Sequence, residues 1–103
     1  MTESLNVTDA QSRAVQKTPN RVSLEYIESR IKGVEYINPD CLPSMTIAVV
    51  SYENGSTFIG KSAPADPDNY DKPLGEKFAY EEAVRQIWPM EGFALREGLH
   101  KSQ

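Results

Sequence analysis

The side chains best suited to binding chemistry are basic and aromatic residues spread along the chain. Guanidinium groups bind phosphate through paired hydrogen bonds, and aromatic faces stack on nucleobases. A few of these residues converging in a cleft between two copies would suit a compact nucleotide. The alternative is that the rings belong to the core and the arginines are solvated or ion-paired. The residues are Arg21, Arg30, Lys61, Lys72, Lys77, Arg85, Arg96, Tyr36, Tyr52, Tyr70, Tyr80 and Trp88.

Residue patterns that would indicate catalysis or metal binding are weaker. Asp66, Asp68 and Asp71 form a carboxylate cluster, but its spacing lacks the central glycine and final glutamate of a calcium loop, and turn formation and capping explain it. Cys41 has no histidine near it in sequence and is expected to be partly buried and inert. No serine lies in a nucleophile motif, and no glycine-rich loop opens a helix. We therefore expect no enzymatic activity, no metal and no cofactor.

Composition limits the remaining function classes. The chain has 103 residues, with 11 Lys and Arg against 15 Asp and Glu, and a formal charge of −4. This balance argues against broad nucleic-acid binding. One cysteine and one histidine cannot build a disulfide framework or a Cys/His metal site within one chain. Without a long apolar run or the apolar centre of a signal peptide, we expect a cytosolic protein with no membrane partner.

The first twenty residues carry scattered polar side chains, both signs of charge and six apolar residues, with no helical or strand period. Such a segment buries too little apolar surface to offset the entropy of ordering it. We therefore expect residues 1–20 to form a flexible arm. The alternative is a frayed helix over Asp9 to Lys17 that docks on a partner.

A short helix is expected next, over Ser23–Lys32. Its first residue is a good N-cap, and Leu24, Ile27 and Ile31 form one apolar stripe. Gly33 suits the position that follows a helix C-terminus.

The strongest strand pattern lies in the middle of the chain. Met45–Tyr52 is rich in β-branched residues, and Asn54-Gly55 favours a type I′ turn that leads into a second strand, Thr57–Lys61. Val34–Ile37 is a shorter strand candidate. We therefore expect an antiparallel hairpin over residues 45–61, with one further strand beside it.

The prolines and aspartates of residues 62–73 predict an irregular crossover that leads into the main helix. Asp71 is the expected N-cap of a helix over Asp71–Trp88, and Pro89 is expected to end it. Phe93 to Leu95 would then form a short apolar turn before a polar end.

The order of these elements predicts an α+β fold, in which helices cover one face of a small antiparallel sheet. We expect a flexible arm over 1–20, a single domain over 21–99 and a polar tail over 100–103. A three-stranded sheet has exposed edges, and small chains often protect such edges by association, so a homodimer or larger homo-oligomer is expected.

Five segments resemble, in order and spacing, a family of small tailed-phage proteins known by gene number, the gene 49/gene 66 family. The resemblance runs from Arg21 to Leu99, and the arm before it matches nothing. The segments are Arg21 to Glu28, Met45 to Val50, Glu53 to Ala63, Asn69 to Asp71 with Leu74-Gly75, and Ile87 to Arg96.

The same pattern is similar to the first class of Thoeris anti-defence proteins, which sequester cyclic nucleotide immune messengers without catalysis. That similarity implies a homo-oligomer that binds a cyclic ADP-ribose isomer or a cyclic oligonucleotide in the host cytoplasm. By motif position, it implies ligand contacts from Arg21, Tyr70 and Arg96. One departure is Glu82, which stands where the family often has Asn and would repel a pyrophosphate. The alternative function is inhibition or redirection of a host protein through the surface of the chain.

Overall fold

The computed structural model describes residues 3–102, which form an α+β fold with a three-stranded antiparallel sheet, as predicted. A 3-10 turn, Pro67–Asn69, interrupts the crossover that precedes the last helix. The helices and strands, in chain order, are α1 (Glu3–Ala14), α2 (Leu24–Ser29), β1 (Ile31–Ile37), β2 (Thr46–Tyr52), β3 (Thr57–Ser62) and α3 (Lys72–Lys101).

The sheet has the order β1-β2-β3, so both neighbours of β2 are edge strands. Val50 lies opposite Val34 on β1 and Phe58 on β3, and these three residues share the inner face. The inner face of β2 is buried at every alternate residue, from Thr46 to Tyr52. Helix α3 packs on β2 and β3, α2 packs against α3, and α1 packs against α2. The core therefore lies between one face of the sheet and the helices.

Helix α3 approaches β3 closely at a glycine. A Cβ atom added to Gly60 would lie 2.0 Å from the Ala79 carbonyl oxygen and 2.6 Å from the Ala83 backbone nitrogen. Both alanines are fully buried. Small residues on both elements thus allow the two backbones to meet, which fixes the position of α3 over the sheet.

The hairpin between β2 and β3 is confirmed, but its predicted type I′ turn is wrong. Within residues 3–102 only Gly55 has a positive φ, of 92°, so Asn54 does not adopt the left-handed conformation that a type I′ turn requires. The Gly55 amide donates to the Tyr52 carbonyl at 3.0 Å, and the Tyr52 amide donates to the Ser56 carbonyl at 2.9 Å. The connection is a three-residue loop in which only glycine adopts the unusual conformation.

The prediction that Pro89 ends the main helix is also wrong. Asp71 is the N-cap, as predicted, but α3 continues to Lys101 and includes the start of the predicted polar tail; Gln103 lies outside the described residues. Residues on both sides of Pro89 are anchored, because the Trp88 indole donates to the Val22 carbonyl at 2.9 Å and Glu91 is bound by Arg30. The proline side chain is exposed. Tertiary contacts therefore outweigh the lost helical hydrogen bond.

The expected flexible arm differs from the structure over most of its length. Residues Glu3–Ala14 form α1, and Leu5 is fully buried in the core. Asp9 is also buried and accepts hydrogen bonds from the Leu24 amide at 3.0 Å and from Arg21 at 2.8 Å. The helix thus docks on its own chain through one leucine and one carboxylate, a pattern too sparse to give an apolar period. Met1 and Thr2 of the predicted arm lie outside the described residues.

The predicted helix over Ser23–Lys32 is too long at its C-terminal end. Ser23 caps α2 as expected, with its hydroxyl accepting from the Tyr26 amide at 3.0 Å. The helix ends at Ser29, and Ile31 and Gly33 belong to β1 instead. Pairing with β2 uses the backbone groups of this segment, and that pairing outweighs the short apolar stripe.

Candidate functional site

An open groove runs between α2 and the C-terminal part of α3, with a volume of about 460 Å³. It combines basic, aromatic and apolar side chains, and we call it the α2-α3 groove. Its lining residues are Arg21, Val22, Tyr26, Arg30, Glu91, Ala94, Leu95, Gly98 and Leu99.

The two walls of the α2-α3 groove come from distant parts of the sequence. On one wall, Val22 is fixed by the hydrogen bond from the Trp88 indole. The opposite wall is the part of α3 beyond Pro89, where Leu95 and Leu99 lie one helical turn apart on the same face. The groove exists because α3 continues past Pro89.

An ion pair between a partly buried arginine and a buried glutamate lines the groove. Arg30 Nη1 donates to Glu91 Oε2 at 2.6 Å, and the Tyr52 hydroxyl donates to the same carboxylate oxygen. The Arg30 guanidinium also lies 4.8 Å from the centre of the Tyr52 ring and 5.9 Å from that of Tyr26. A weaker contact, at 3.8 Å, joins Arg30 to Glu53. These contacts hold the guanidinium in one place, which is a requirement for geometric recognition of an anion.

The surroundings of Arg30 and Tyr52 favour the protonated form of both side chains. Burial, which disfavours ionisation, and the hydrogen bond to Glu91 both raise the pKa of Tyr52 well above its usual range, so its hydroxyl remains a donor. Burial lowers the pKa of Arg30, but the hydrogen bond and charge of Glu91 outweigh that effect and raise it. The guanidinium therefore stays charged at all ordinary pH values.

Arg21 is a second anchored cation in the lining of the groove. Its Nη1 atom donates to Asp9 Oδ1 at 2.8 Å, and its Nε atom donates to Gln16 Oε1 at 2.9 Å. These hydrogen bonds use Nη1 and Nε of Arg21, and the bond from Arg30 to Glu91 uses Nη1 of Arg30. Since guanidinium groups carry five donors, each arginine retains capacity for an anionic ligand.

The structure does not bring the three predicted site residues together within one chain. Arg21 lines the α2-α3 groove, as described. Tyr70 lines a separate cavity of about 190 Å³ beside Leu74 and Phe78, and its hydroxyl accepts from Asn38 Nδ2 at 3.2 Å. Arg96 is exposed and is not among the lining residues of either cavity. Any joint contact of the three with one ligand would require a second copy.

Sequence reasoning missed two groove residues with clear roles, Tyr26 and Glu91. The ion pair between Arg30 and Glu91 joins residues far apart in sequence, so no local spacing predicts it. One available pattern was the spacing of Leu95 and Leu99, which is helical and lies beyond Pro89. It indicates that the apolar face of α3 continues.

Glu82 has a structural partner rather than a place in the groove. Its Oε1 atom accepts from the Lys61 amide at 2.9 Å, and Gln86 Nε2 donates to the Ile59 carbonyl at 2.7 Å. These two side chains of α3 satisfy backbone groups on the free edge of β3. Glu82 is not among the residues that line the α2-α3 groove, so within one chain its charge does not oppose a ligand there.

The structure also locates the other residues that the sequence singled out, Cys41 and the aspartates of the crossover. Cys41 is exposed, so the expected partial burial is wrong. Asp66 and Asp71 cap helical turns, as predicted. Across residues 3–102, no group of three or more metal-ligating side chains could hold an ion. Nor is any described helix long and apolar enough to cross a membrane.

Comparison with known proteins gives one match. A family model matches residues 22–99, and its description is the Phage protein (N4 Gp49/phage Sf6 gene 66) family. No curated protein and no solved structure matched the chain. The matched segment begins and ends at two groove residues, Val22 and Leu99, and omits α1. It covers well over half of the sequence, and the chain therefore belongs to this phage protein family.

Proposed function

We propose that this phage protein sequesters a cyclic nucleotide messenger without catalysis, in the α2-α3 groove. The observation that supports the proposal is the combination, in one groove, of two anchored arginines, an exposed tyrosine ring and an apolar wall. Tyr26 is 49% exposed, so its ring is accessible for stacking. The proposed setting is the host cytoplasm, where such messengers act.

The size and chemistry of the groove suit this ligand class. A volume of about 460 Å³ lies within the range of small-molecule sites. A cyclic ADP-ribose isomer or a cyclic oligonucleotide carries phosphates for Arg21 and Arg30 and a base for Tyr26. Leu95 and Leu99 would contact the apolar edges of the ligand. Each ligand group thus has a matching protein group.

Stoichiometric binding is sufficient for such a function. A protein that holds free messenger below the threshold of its receptor needs tight binding and no turnover. Nanomolar affinity corresponds to about −12 kcal/mol, which a few charge-assisted hydrogen bonds and one stacked ring can approach in a preformed site. In a homo-oligomer, Tyr70 and Arg96 of a neighbouring copy are the proposed additional contacts.

A second candidate function is supported by a different observation. Met90 and Phe93 on α3 are large apolar residues, yet they are 61% and 69% exposed. Exposed side chains of this size are common at protein interfaces. Binding to a host protein through this part of α3 is therefore the alternative, and it predicts no affinity for cyclic nucleotides.

A thermal-shift panel separates the two functions. The panel contains cyclic ADP-ribose isomers and cyclic di- and trinucleotides, each added to the purified chain. Sequestration predicts that one class raises the melting temperature, since a ligand at a hundredfold excess over Kd stabilises by about 2.7 kcal/mol. The ligand should be recovered intact after denaturation, which distinguishes binding from turnover. A panel with no shift at micromolar concentrations would favour the host-protein alternative.

An arginine variant tests whether a second copy completes the site. Arg96→Ala removes an exposed side chain and should leave the fold intact. If Arg96 of a neighbouring copy contacts phosphate, the variant loses about 1.5–3 kcal/mol of binding, which is roughly ten- to a hundredfold in affinity. An unchanged affinity would show that the groove of one chain is sufficient.

A further inference from the structure

The outer face of the sheet, opposite α3, carries an apolar patch that none of the helices within residues 3–102 covers. Register places Ile47 and Val49 of β2 on this face, with Ile37 of β1 and Ile59 of β3 beside them. Ile37 is 44% exposed and Ile59 is 56% exposed. Four β-branched side chains in one continuous patch are unusual on a solvated sheet face.

Two opposite charges flank this patch, one on each edge strand. Glu35 lies on β1 opposite Val49, and Lys61 lies on β3 opposite Ile47, so both belong to the outer face. Both residues are exposed, and neither side chain forms an ion pair within residues 3–102. The patch therefore has a negative border on one side and a positive border on the other.

We propose that the outer face of the sheet packs against the same face of a second copy of this chain. A twofold axis parallel to β2 places β1 of one copy over β3 of the other, and brings Glu35 toward the partner's Lys61. In this arrangement Glu35 and the partner's Lys61 are offset by two residues, about 7 Å, along the strand direction. Packed sheets lie about 10 Å apart. Lysine and glutamate side chains are long enough to approach each other across this separation. A twofold axis perpendicular to the strands would instead place like charges together.

Edge pairing through β3 is already blocked, which favours association through the face. Glu82 and Gln86 occupy the backbone groups of Lys61 and Ile59 on that free edge. A strand from another copy would have to displace both side chains. The face, in contrast, offers apolar surface and complementary charge with no displacement. The α2-α3 groove lies on the other side of the sheet, so a partner on this face contributes no residue to the groove. This inference is therefore independent of the proposed function, in which a copy that supplied Tyr70 and Arg96 would associate through a second surface.

Charge reversal combined with sedimentation equilibrium of the full chain tests this interface. The wild type should have twice the 11.5 kDa mass of one chain. Ile59→Glu should give a monomer with an unchanged melting profile at low concentration, because that side chain points away from the core. Glu35→Lys should raise the dimer Kd about tenfold, since it removes an attraction and adds a repulsion at both ends of a symmetric interface.

The double variant provides the decisive result. Glu35→Lys combined with Lys61→Glu exchanges the negative and positive charges that flank the patch. This variant should restore the dimer Kd to near the wild-type value. A wild-type chain that is monomeric at high micromolar concentration would overturn the proposal. So would a dimer that Ile59→Glu leaves intact, which would place the interface on the β1 edge or the helices. A double variant as weak as the single one would overturn the proposed orientation.

Discussion

The two halves of α3 are both helical, but the first half packs on the sheet and the second half is exposed. From Lys72 to Glu91 the helix lies over the sheet, and Ala79, Ala83 and Ile87 are fully buried. From Gly92 to Lys101 every residue is at least partly exposed. We call this exposed second half, residues 92–101, the projecting half of α3. The first half is constrained by packing, whereas the second is free to form one wall of a binding groove.

The largest expected effect on stability comes from Gly60, the β3 residue on which the first half of α3 packs. Gly60→Ala places a Cβ atom 2.0 Å from a backbone oxygen of α3, where no side chain can move aside. We expect a loss of about 3 kcal/mol or more of unfolding free energy. Gly33→Ala is the matched control, because an added Cβ there meets nothing within 4 Å. Urea unfolding of the two variants measures the contrast, and equal stability would contradict the close approach.

A pair of glutamates compares the two halves directly. Glu91→Ala leaves Arg30 and the Tyr52 hydroxyl without their acceptor, so we expect a loss of about 3 kcal/mol. Glu97→Ala makes the same chemical change on the exposed half and should stay within about 0.5 kcal/mol of the wild type. Chemical denaturation of both variants is the measurement. A comparable loss in both would mean that the projecting half is packed after all.

The α2 wall of the groove depends on α1, and this dependence should vary with pH. Burial raises the pKa of Asp9, but hydrogen bonds from Leu24, Arg21 and Arg13 outweigh it and lower the pKa below its ordinary value. The carboxylate therefore stabilises the fold above pH 4, and this contribution is lost as the pH falls through the folded-state pKa.

The variant Asp9→Asn isolates that contribution. It should cost about 1–2 kcal/mol at pH 7 and progressively less in acid, where the wild type also loses the charge. Unfolding free energies of both proteins across the acid range give the measurement. Asp40→Asn, at an exposed site, is the control. A difference that persists unchanged at the lowest pH would assign the effect of Asp9 to something other than its charge.

A substitution at Pro89, where the two halves of α3 meet, should change the stability by less. Pro89→Ala restores a backbone donor for the Arg85 carbonyl, and one such hydrogen bond contributes about 1 kcal/mol net, so the helix should gain about that much stability. Met90→Ala, at the neighbouring exposed position, should change stability little. Thermal unfolding of both variants provides the test. Destabilisation by Pro89→Ala would show that the ring has a packing role at the junction.

The sequence predicted those elements in which local chemistry and tertiary structure agree. Ser23 and Asp71 are capping residues in both, and the β-branched run before Asn54-Gly55 placed the hairpin strands correctly. The prediction failed at Pro89 and in α1, where single long-range contacts decide the outcome. Leu5 and Asp9 hold α1, and Trp88 and Glu91 hold α3 on both sides of the proline. Such contacts leave no periodic pattern in the sequence.

The candidate site was predictable only in part, for a related reason. Arg21 was identified by its motif position and does line the α2-α3 groove. In the sequence, Arg30 is one of many basic residues. The structure pairs it with Glu91, which lies 61 residues away along the chain. Leu95 and Leu99 have helical spacing, but a helix expected to end at Pro89 gave that spacing no element to belong to. The groove follows from tertiary structure rather than from a motif.

Calorimetry on two glycine variants tests the central claim, that the projecting half of α3 forms a wall of a ligand site. Gly98 lines the groove and Gly92 does not, and an added Cβ at either meets nothing within 4 Å. Leucine raises helix propensity at both positions by about 0.8 kcal/mol, so neither variant should unfold. With the cyclic nucleotide that the wild type binds, Gly98→Leu should lose at least about tenfold in affinity by filling the groove, while Gly92→Leu binds normally. Equal binding by both variants, or no binding by the wild type to any cyclic nucleotide at micromolar concentration, would contradict the account.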